Sequence, residues 1–378
     1  MRCERGYFIK LSAIACLIAS ALFAGNAAGS AAVASDTAGR AGGGPDPASG
    51  LPVTGHPAGV AVLSAHDAWA VGEISSACCM RPMTARWNGS RWTRVPVPHV
   101  SGIASLESVA AISPRDVWAV GWCQPAGSYQ TLTLILHWNG RTWKKVPSPS
   151  SGGQASLYGV AATSARSAWA VGDNDGGPAD DPLILRWNGR SWKQVPIPYL
   201  PGGSLSGVAA VSATRAWAVG YAFAGNDDPL ILRWNGRAWQ RARTPRPAGG
   251  STLSGVAALS ASSAWAVGST NTLGPDDLIL SWNGTTWKRV PGPGDDSFNA
   301  VAVVSARAAW AFGSTGTTTS TPVIARWNGV TWKSVPGPAK GDLVRAAALS
   351  PRDAWAVGTN GSGGSLAIHW NGTRWKTT

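Results

Sequence analysis

Three pairs of adjacent aspartates are the residues whose type and spacing best suit chemistry. Each pair stands just before a short apolar segment, and the pairs are Asp180-Asp181, Asp227-Asp228 and Asp276-Asp277. Carboxylate oxygens are the ligands that Ca²⁺ prefers, so calcium is the one metal ion that they indicate. They also accept hydrogen bonds from sugar hydroxyls, and two carboxyl groups about 5 to 9.5 Å apart can serve as general acid and base. Turn formation and solubility explain the same residues without a ligand.

A second group combines aromatic and thiol side chains. Trp122 is followed directly by Cys123, and Tyr129 comes shortly after them. We expect Trp122 to stack on a sugar ring or an aromatic ligand, and packing on a disulfide is the alternative. Cys78 and Cys79 are the other cysteines outside the N-terminal segment. In an oxidising compartment we expect Cys123 to bridge to one of this adjacent pair, which leaves one thiol over.

Catalytic constellations are missing from the sequence. No nucleophile, base and orienting partner can be assembled from it, and no EF-hand spacing supports a defined metal site. The histidines are scattered over the chain, at His56, His66, His99, His137 and His369. The pattern therefore favours binding over catalysis, and no cofactor is expected apart from calcium.

The elements that carry these residues are seven copies of one unit. Each copy contains AWAVG or a close variant, then Trp-Asn-Gly, then another tryptophan five residues later. These positions account for all but one of the 22 tryptophans, the exception being Trp122. The first tryptophans of the units are Trp69, Trp118, Trp169, Trp217, Trp265, Trp310 and Trp355. Each unit divides into four short apolar segments separated by turn-forming residues, which is typical of β-strands.

Seven such units predict an all-β fold, a seven-bladed β-propeller with four antiparallel strands per blade over residues 57–378. We expect the alanine-rich first strands at the axis and the repeated tryptophans packed between blades. The last unit stops where five of the others continue with Val-Pro-x-Pro. Residues 51–53 resemble that missing piece and are expected to complete the edge of blade seven.

The expected ligand-binding rim is the one that carries the most variable connections. In a propeller, the loops from second to third strand share one rim with the connections between blades. All three aspartate pairs, Trp122 and Tyr129 fall in or beside these loops. The Trp-Asn-Gly turns lie on the opposite rim, and turn chemistry explains them without a ligand.

The units resemble kelch-type repeats such as those of the galactose oxidase propeller. In that family a strand ending in glycine is followed by an aromatic residue on the third strand and a tryptophan on the fourth, as at Gly172, Trp187 and Trp192. The WNGxxW turn is also similar to the WDGxxW turns of seven-bladed bacterial lectins. The resemblance implies the architecture rather than an activity, because propellers host many chemistries. The tyrosines and histidines that hold copper in galactose oxidase have no counterpart here.

The N-terminal segment has the pattern of a signal peptide. Arg2, Arg5 and Lys10 precede an apolar run that is too short to span a membrane, and we place the cleavage after residue 34. Residues 35–56 are predicted to be a flexible lead-in. Removal of three basic residues and one acidic residue with the segment lowers the formal net charge from +13 to +11. We therefore predict a secreted, extracellular protein without a membrane span.

Taken together, the sequence predicts a monomeric, non-catalytic binding protein. The excess positive charge favours an anionic cell-envelope polymer, and the rim suits a glycan or another protein equally well. Nucleic acid is not expected as a partner, since no recognition motif is present. The alternative is an extracellular carbohydrate-active hydrolase or lyase that uses the rim carboxylates.

Overall fold

The computed structural model describes residue 51 and residues 55–378, apart from 77–78, 150–152, 175–180, 201, 224–226, 248, 271–275, 295, 316–320 and 339. These residues belong to one compact unit, Ala48–Thr378. They form 28 strands, and no helix long and apolar enough to cross a membrane occurs among them. The predicted signal peptide and most of the lead-in lie outside the described residues and stay predictions.

The strands form seven sheets of four, and each sheet pairs its strands antiparallel in chain order. Blades 1 to 4 comprise β1 (Gly55–Ser64), β2 (Asp67–Ser76), β3 (Cys79–Trp87), β4 (Trp92–Arg94), β5 (Ile103–Ser113), β6 (Asp116–Gln124), β7 (Leu132–Trp138), β8 (Trp143–Lys145), β9 (Ala155–Ser164), β10 (Ser167–Asn174), β11 (Asp181–Trp187), β12 (Trp192–Gln194), β13 (Gly203–Ser212), β14 (Arg215–Phe223), β15 (Asp227–Trp234) and β16 (Trp239–Arg241). Blades 5 to 7 comprise β17 (Ser251–Ser260), β18 (Ser263–Thr270), β19 (Asp276–Trp282), β20 (Trp287–Arg289), β21 (Ser297–Ser305), β22 (Ala308–Thr315), β23 (Thr321–Trp327), β24 (Trp332–Ser334), β25 (Gly341–Ser350), β26 (Asp353–Asn360), β27 (Ser365–Trp370) and β28 (Trp375–Thr377). The predicted seven-bladed β-propeller is confirmed.

The Asn-Gly turn between third and fourth strands explains part of this repetition. In blade 1, Asn88 Oδ1 accepts hydrogen bonds from the backbone N–H groups of Ser90 and Arg91, each at 3.0 Å. Gly89 has φ +96°, and a Cβ at this position would collide with His66 in the neighbouring turn. The other six hairpins contain the same pair of asparagine bonds. Backbone geometry therefore accounts for the Asn-Gly of every unit.

Tryptophans join each blade to the next. Trp69 of blade 1 lies 5.0 Å from Trp138 and 5.3 Å from Trp143 of blade 2, measured between ring centroids. The same arrangement closes the ring, because Trp355 of blade 7 lies 5.2 Å from the Trp87 ring of blade 1. Trp69 and Trp355 are both fully buried. The prediction that the repeated tryptophans pack between blades is confirmed.

The two ends of the propeller meet at blades 7 and 1. Ser365 Oγ donates to the carbonyl oxygen of Gly55 at 2.6 Å. Trp92 Nε1 donates to Thr378 Oγ1 at 3.1 Å. Leu51 is buried in the apolar cluster between these two blades, whereas residues 52–54 lie outside the described part, so the edge segment of blade seven stays a prediction.

Two histidines occupy a position that arginine holds in other units. The His137 ring stacks on Trp118 with centroids 4.2 Å apart, and its Nε2 lies 2.8 Å from Asp116 Oδ1. His369 makes the same two contacts in blade 7. In blade 1 the guanidinium of Arg86 lies over the first tryptophan of its unit at 5.3 Å. Both histidines are therefore repeat variants that pack on tryptophan.

The first strands line the axis of the ring, and each contains two register shifts, one near its start and one at its end. The shift nearer the start of each strand leaves one extra residue, and these bulge residues are Ala58, Glu107, Tyr158, Ser206, Ser254, Asn299 and Val344. Small residues follow them in six blades because neighbouring first strands lie close together. A Cβ on Gly59, for example, would lie 3.0 Å from Ser108 Cα. In blade 7 the corresponding residue is instead Arg345.

Candidate functional site

The predicted aspartate pairs lie at the start of the third strands of three neighbouring blades. β11 begins at Asp181, β15 at Asp227 and β19 at Asp276. Asp181 is exposed, whereas Asp227 is half-buried. Asp180 and the side chain of Asp276 lie outside the described part of the chain.

Two aspartates of these pairs contact residues of their own blade. The Asp228 carboxylate lies 3.3 Å from the guanidinium of Arg246. Asp277 is only 4% exposed, and its carboxylate lies beside Gly292. Across the described residues, no three Asp, Glu, His or Cys side chains are grouped to hold a metal ion. The predicted roles of the pairs in calcium or ligand binding stay predictions.

The two predicted aromatic residues differ in exposure. Trp122 is half-buried on β6, and its Nε1 donates to Glu107 Oε1 at 3.1 Å. Tyr129 is 91% exposed in the following loop. Trp122 is thus oriented by a carboxylate on the first strand, which links the predicted rim to the axis.

The two described cysteines differ in burial, since Cys79 is half-buried and Cys123 is buried. Cys123 is buried in the apolar cluster between blades 1 and 2, and burial raises the pKa of its thiol. Cys79 and Cys123 are not bonded to each other. Cys78 lies outside the described residues, so a bridge from Cys78 to Cys123 stays a prediction.

A polar cluster that the sequence did not reveal lies at the axis, on the same rim. It is formed by bulge residues of the first strands, their neighbours and the ends of the second strands. We call it the mouth cluster, and it consists of Glu73, Glu107, Trp122, Tyr158, Asp173, Ser204, Asn299, Asp342 and Arg345.

Hydrogen bonds connect the cluster across blades 3 and 4. Tyr158 donates its hydroxyl to Asp173 Oδ1 at 3.3 Å. Ser204 of the next blade donates to Asp173 Oδ2 at 2.9 Å. Burial, and next the charge of Asp173, raise the pKa of Tyr158, so the phenol keeps its proton and remains a donor. The Asp173 carboxylate is therefore fixed in orientation at 6% exposure.

Arg345 reaches across the axis from blade 7. Its Nη2 donates to the carbonyl oxygen of Tyr158 in blade 3 at 3.3 Å, and its Nη1 donates to Val344 O at 2.9 Å. Burial lowers the pKa of the guanidinium, and the charge of Glu107 partly offsets this effect. A guanidinium remains charged at neutral pH even so. Arg345 thus places one cation among several carboxylates.

Two carboxyl groups of the cluster are destabilised as anions. Burial raises the pKa of Glu73, and the nearby Glu107 carboxylate raises it further, against hydrogen bonds from Ser75 and Ser105. Burial also raises the pKa of Asp342, whose Oδ1 accepts a hydrogen bond from Asn299 Nδ2 at 3.3 Å. Desolvated carboxylates gain from a cationic or N–H donor ligand.

Exposed aromatic residues lie in three neighbouring blades on the same rim as the mouth cluster. Tyr129 in blade 2, Tyr199 in the connection from blade 3 and Phe223 in blade 4 are 91%, 92% and 52% exposed. The opposite rim exposes aliphatic residues instead, such as Val330. Acidic residues at the axis and aromatic residues at the edge together make this rim a candidate binding surface.

A sequence signal for the cluster exists in the first strands. Five units have glycine or alanine after the bulge, and three of these also have a small residue at the bulge, as in the Ser206-Gly207 pair. The four units that depart from this pattern carry Glu107, Tyr158, Asn299 and Arg345. These positions can be identified by comparing the first-strand segments of the seven units with one another.

The comparisons with known proteins support the fold alone. No family model matches the chain, and no curated protein sequence matches it. Among solved structures it is similar to YCF48 bound to D1 peptide, with a TM-score of 0.56 and 15% identity over 85% of this chain and 95% of that chain. It is also similar to YCF48 from Cyanidioschyzon merolae, with a TM-score of 0.54 and 16% identity over 84% of this chain and 96% of that chain. The resemblance to kelch-type and lectin propellers therefore extends to the propeller architecture, and the family remains a prediction.

Proposed function

We propose that the protein is a secreted, non-catalytic binding propeller whose mouth cluster and surrounding aromatics bind a basic segment of another protein. The observation that carries the proposal is the group of partly desolvated carboxylates at the axis. Glu73, Glu107, Asp173 and Asp342 outnumber the single cation Arg345. A lysine or arginine of the partner would offset the excess negative charge of this group in a site that is partly shielded from water.

The aromatic edge supports a polypeptide as the occupant. Tyr199 and Tyr129 stand almost fully exposed, and tyrosine supplies contact area at low conformational cost. Aromatic faces also attract the cationic side chains that the carboxylates favour. A structurally similar propeller, YCF48, is described as bound to a D1 peptide. That likeness makes a peptide-binding use of the fold reasonable.

A glycan, an anionic envelope polymer and a carbohydrate-active enzyme remain the competing functions. Trp122 and Tyr129 would suit a sugar ring. An enzyme would need two carboxyl groups with different pKa values, and burial raises the pKa of Glu73. An anionic polymer is disfavoured at this rim because the carboxylates would repel it.

Selection from a displayed library of random peptides tests the proposal on residues 35–378. The native protein should enrich sequences that contain lysine or arginine. The double variant E107Q/D173N should lose this enrichment, whereas V330A on the opposite rim should keep it. Enrichment of acidic peptides, or equal loss in V330A, would contradict the proposal. Turnover or retention on a polysaccharide panel, without peptide selection, would favour the carbohydrate alternatives.

A further inference from the structure

A separate groove lies between blades 4 and 5, on the outer side of the ring. It has a volume of about 450 Å³. Its walls are the outer strand and outgoing connection of blade 4 and the Trp-Asn-Gly hairpin of blade 5. The residues that line it are Arg233, Gln240, Arg241, Ala242, Arg243, Thr244, Pro245, Trp282, Thr285, Thr286 and Trp287.

The groove coincides with a departure of blade 4 from the other units. Five blades continue from the fourth strand with Val-Pro, as at Val95-Pro96. Blade 4 has Ala242-Arg243 in this place. The backbone N–H of Ala242 donates to Ile231 O at 2.9 Å, as that of Val95 does to Thr84 O. The backbone course is therefore kept, while alanine fills less of the space between blades and arginine replaces an uncharged ring.

The groove carries positive charge without a carboxylate on its walls. Arg241 and Arg243 are exposed, and no ion pair holds either of them within the described structure. Arg233 is held in place, since its guanidinium lies 5.3 Å from the centroid of the Trp282 ring. Arg246, the next arginine along the chain, lies within 3.3 Å of a carboxylate instead. The groove residues are thus left with three uncompensated guanidinium groups.

The donors in the groove suit a tetrahedral oxyanion. Each guanidinium offers a planar fork of N–H donors that matches phosphate oxygens. The Thr285 hydroxyl donates to Asn283 Oδ1 at 2.8 Å, and Thr286 brings a second hydroxyl to the groove lining. A phosphate presents more acceptor oxygens than a carboxylate and so uses more of these donors at once.

We propose that this groove binds phosphate groups of an anionic polymer, independently of the partner at the mouth cluster. Exposed arginines gain little from a single monovalent ion. A polymer that presents several phosphates engages Arg233, Arg241 and Arg243 together, and it releases counterions as it does so. The excess positive charge of the chain, +13, acts in the same direction at long range.

Labelled long-chain inorganic polyphosphate is the probe, and its affinity for the full chain is measured by fluorescence anisotropy at low salt. The variant A242V/R243P restores the Val-Pro of the other blades, and R241Q/R243Q removes charge without filling space. Each should weaken binding at least about tenfold, which corresponds to about 1.4 kcal/mol. The matched control R141Q/R190Q removes the same charge from exposed hairpin tips and should change the affinity less than about twofold.

Three results would overturn this inference. The first is that the native protein fails to bind polyphosphate. The second is that R141Q/R190Q weakens binding as much as the groove variants do, which would assign binding to diffuse surface charge. The third is that polyglutamate of similar length binds as tightly as polyphosphate, which would show that the groove binds polyanions without a preference for phosphate. Thermal unfolding of each variant confirms that it is folded, and the two groove variants alter the groove by different means.

Discussion

The two rims of the ring differ in what their residues must do. On one rim every blade carries the same Trp-Asn-Gly turn, held by the same asparagine hydrogen bonds. On the other rim the residue after the shared glycine of the second strand changes in almost every blade, through Glu73, Trp122, Asp173, Tyr221, Ser269, Ser314 and Thr359. Backbone geometry and packing explain the repeated rim completely. Within the described residues, no shared turn or packing position explains the residue types of the varied rim, and this contrast locates the candidate function.

Replacing a repeated tryptophan should have the largest effect. Trp69→Ala removes a fully buried ring that packs on two tryptophans of blade 2, so the free energy of unfolding should fall by about 3 to 5 kcal/mol. Trp122→Ala removes the same residue type from the varied rim and should cost about 1 kcal/mol, mainly its bond to Glu107. Urea unfolding followed by circular dichroism measures both. Equal losses would remove the distinction between repeated and varied tryptophans.

Two glycines extend the comparison between repeated and varied positions, with smaller expected changes in the free energy of unfolding. Gly172 follows the second-strand AWAV segment, and a Cβ there would collide with the carbonyl oxygen of Ser156. Gly172→Ala should therefore lower the free energy of unfolding by about 1 to 3 kcal/mol. Gly294 lies in a connection on the varied rim, where the atom nearest to an added Cβ would be 3.7 Å away. Gly294→Ala should change the free energy of unfolding by less than about 0.5 kcal/mol. A comparable loss in both variants would refute the distinction between a glycine required by close packing and a glycine in a variable connection.

Arginines of the third strands should contribute less to the free energy of unfolding. Arg86 makes two 2.8 Å hydrogen bonds to Asp67 and lies over Trp69, and its side chain is 34% exposed. Arg86→Gln should cost about 1 kcal/mol at low salt and less at high salt. Arg186→Gln removes an arginine that packs on tryptophan without a carboxylate partner. Its cost should not depend on salt, and a salt-dependent cost in Arg186→Gln alone would contradict this account.

The pH dependence of the free energy of unfolding tests the mouth cluster, and its expected effect is the smallest of these predictions. Burial raises the pKa of Glu73 above its ordinary value of 4.5, so the folded state binds the proton more tightly than the unfolded state. The free energy of unfolding contributed by Glu73 should therefore increase as the pH falls from neutral towards 4.5. Its neighbours are Glu107, His56 and the hydroxyls of Ser75 and Ser105. Glu73→Gln should flatten this part of the profile, and an unchanged slope would show that Glu73 ionises normally.

The sequence was sufficient to predict the architecture because the same local pattern occurs in all seven units. Apolar alternation, the Asn-Gly turn and the regular tryptophans all agree on four strands per blade. The contact between Trp69 and Trp138 follows from that arrangement once the blades are stacked. His137 and His369 were also interpretable, since they occupy the position of a repeated arginine.

The candidate site was harder to predict because tertiary contacts decide it. The aspartate pairs looked like one surface, yet Asp228 contacts Arg246 and Asp277 lies against Gly292, each within its own blade. Glu107 was overlooked because a register shift places it outside the regular alternation of its strand. A bulge cannot be read from the period of a short strand, although its residue types were visible.

The most direct test is the affinity of one selected basic peptide for two single variants of the same rim. Glu107→Gln changes a carboxylate of the mouth cluster, and Asp181→Asn changes an exposed carboxylate of a predicted aspartate pair. Our account predicts a loss of at least about tenfold, or about 1.4 kcal/mol, in Glu107→Gln and less than about twofold in Asp181→Asn. The reverse order would place the binding site on the outer loops and contradict the account.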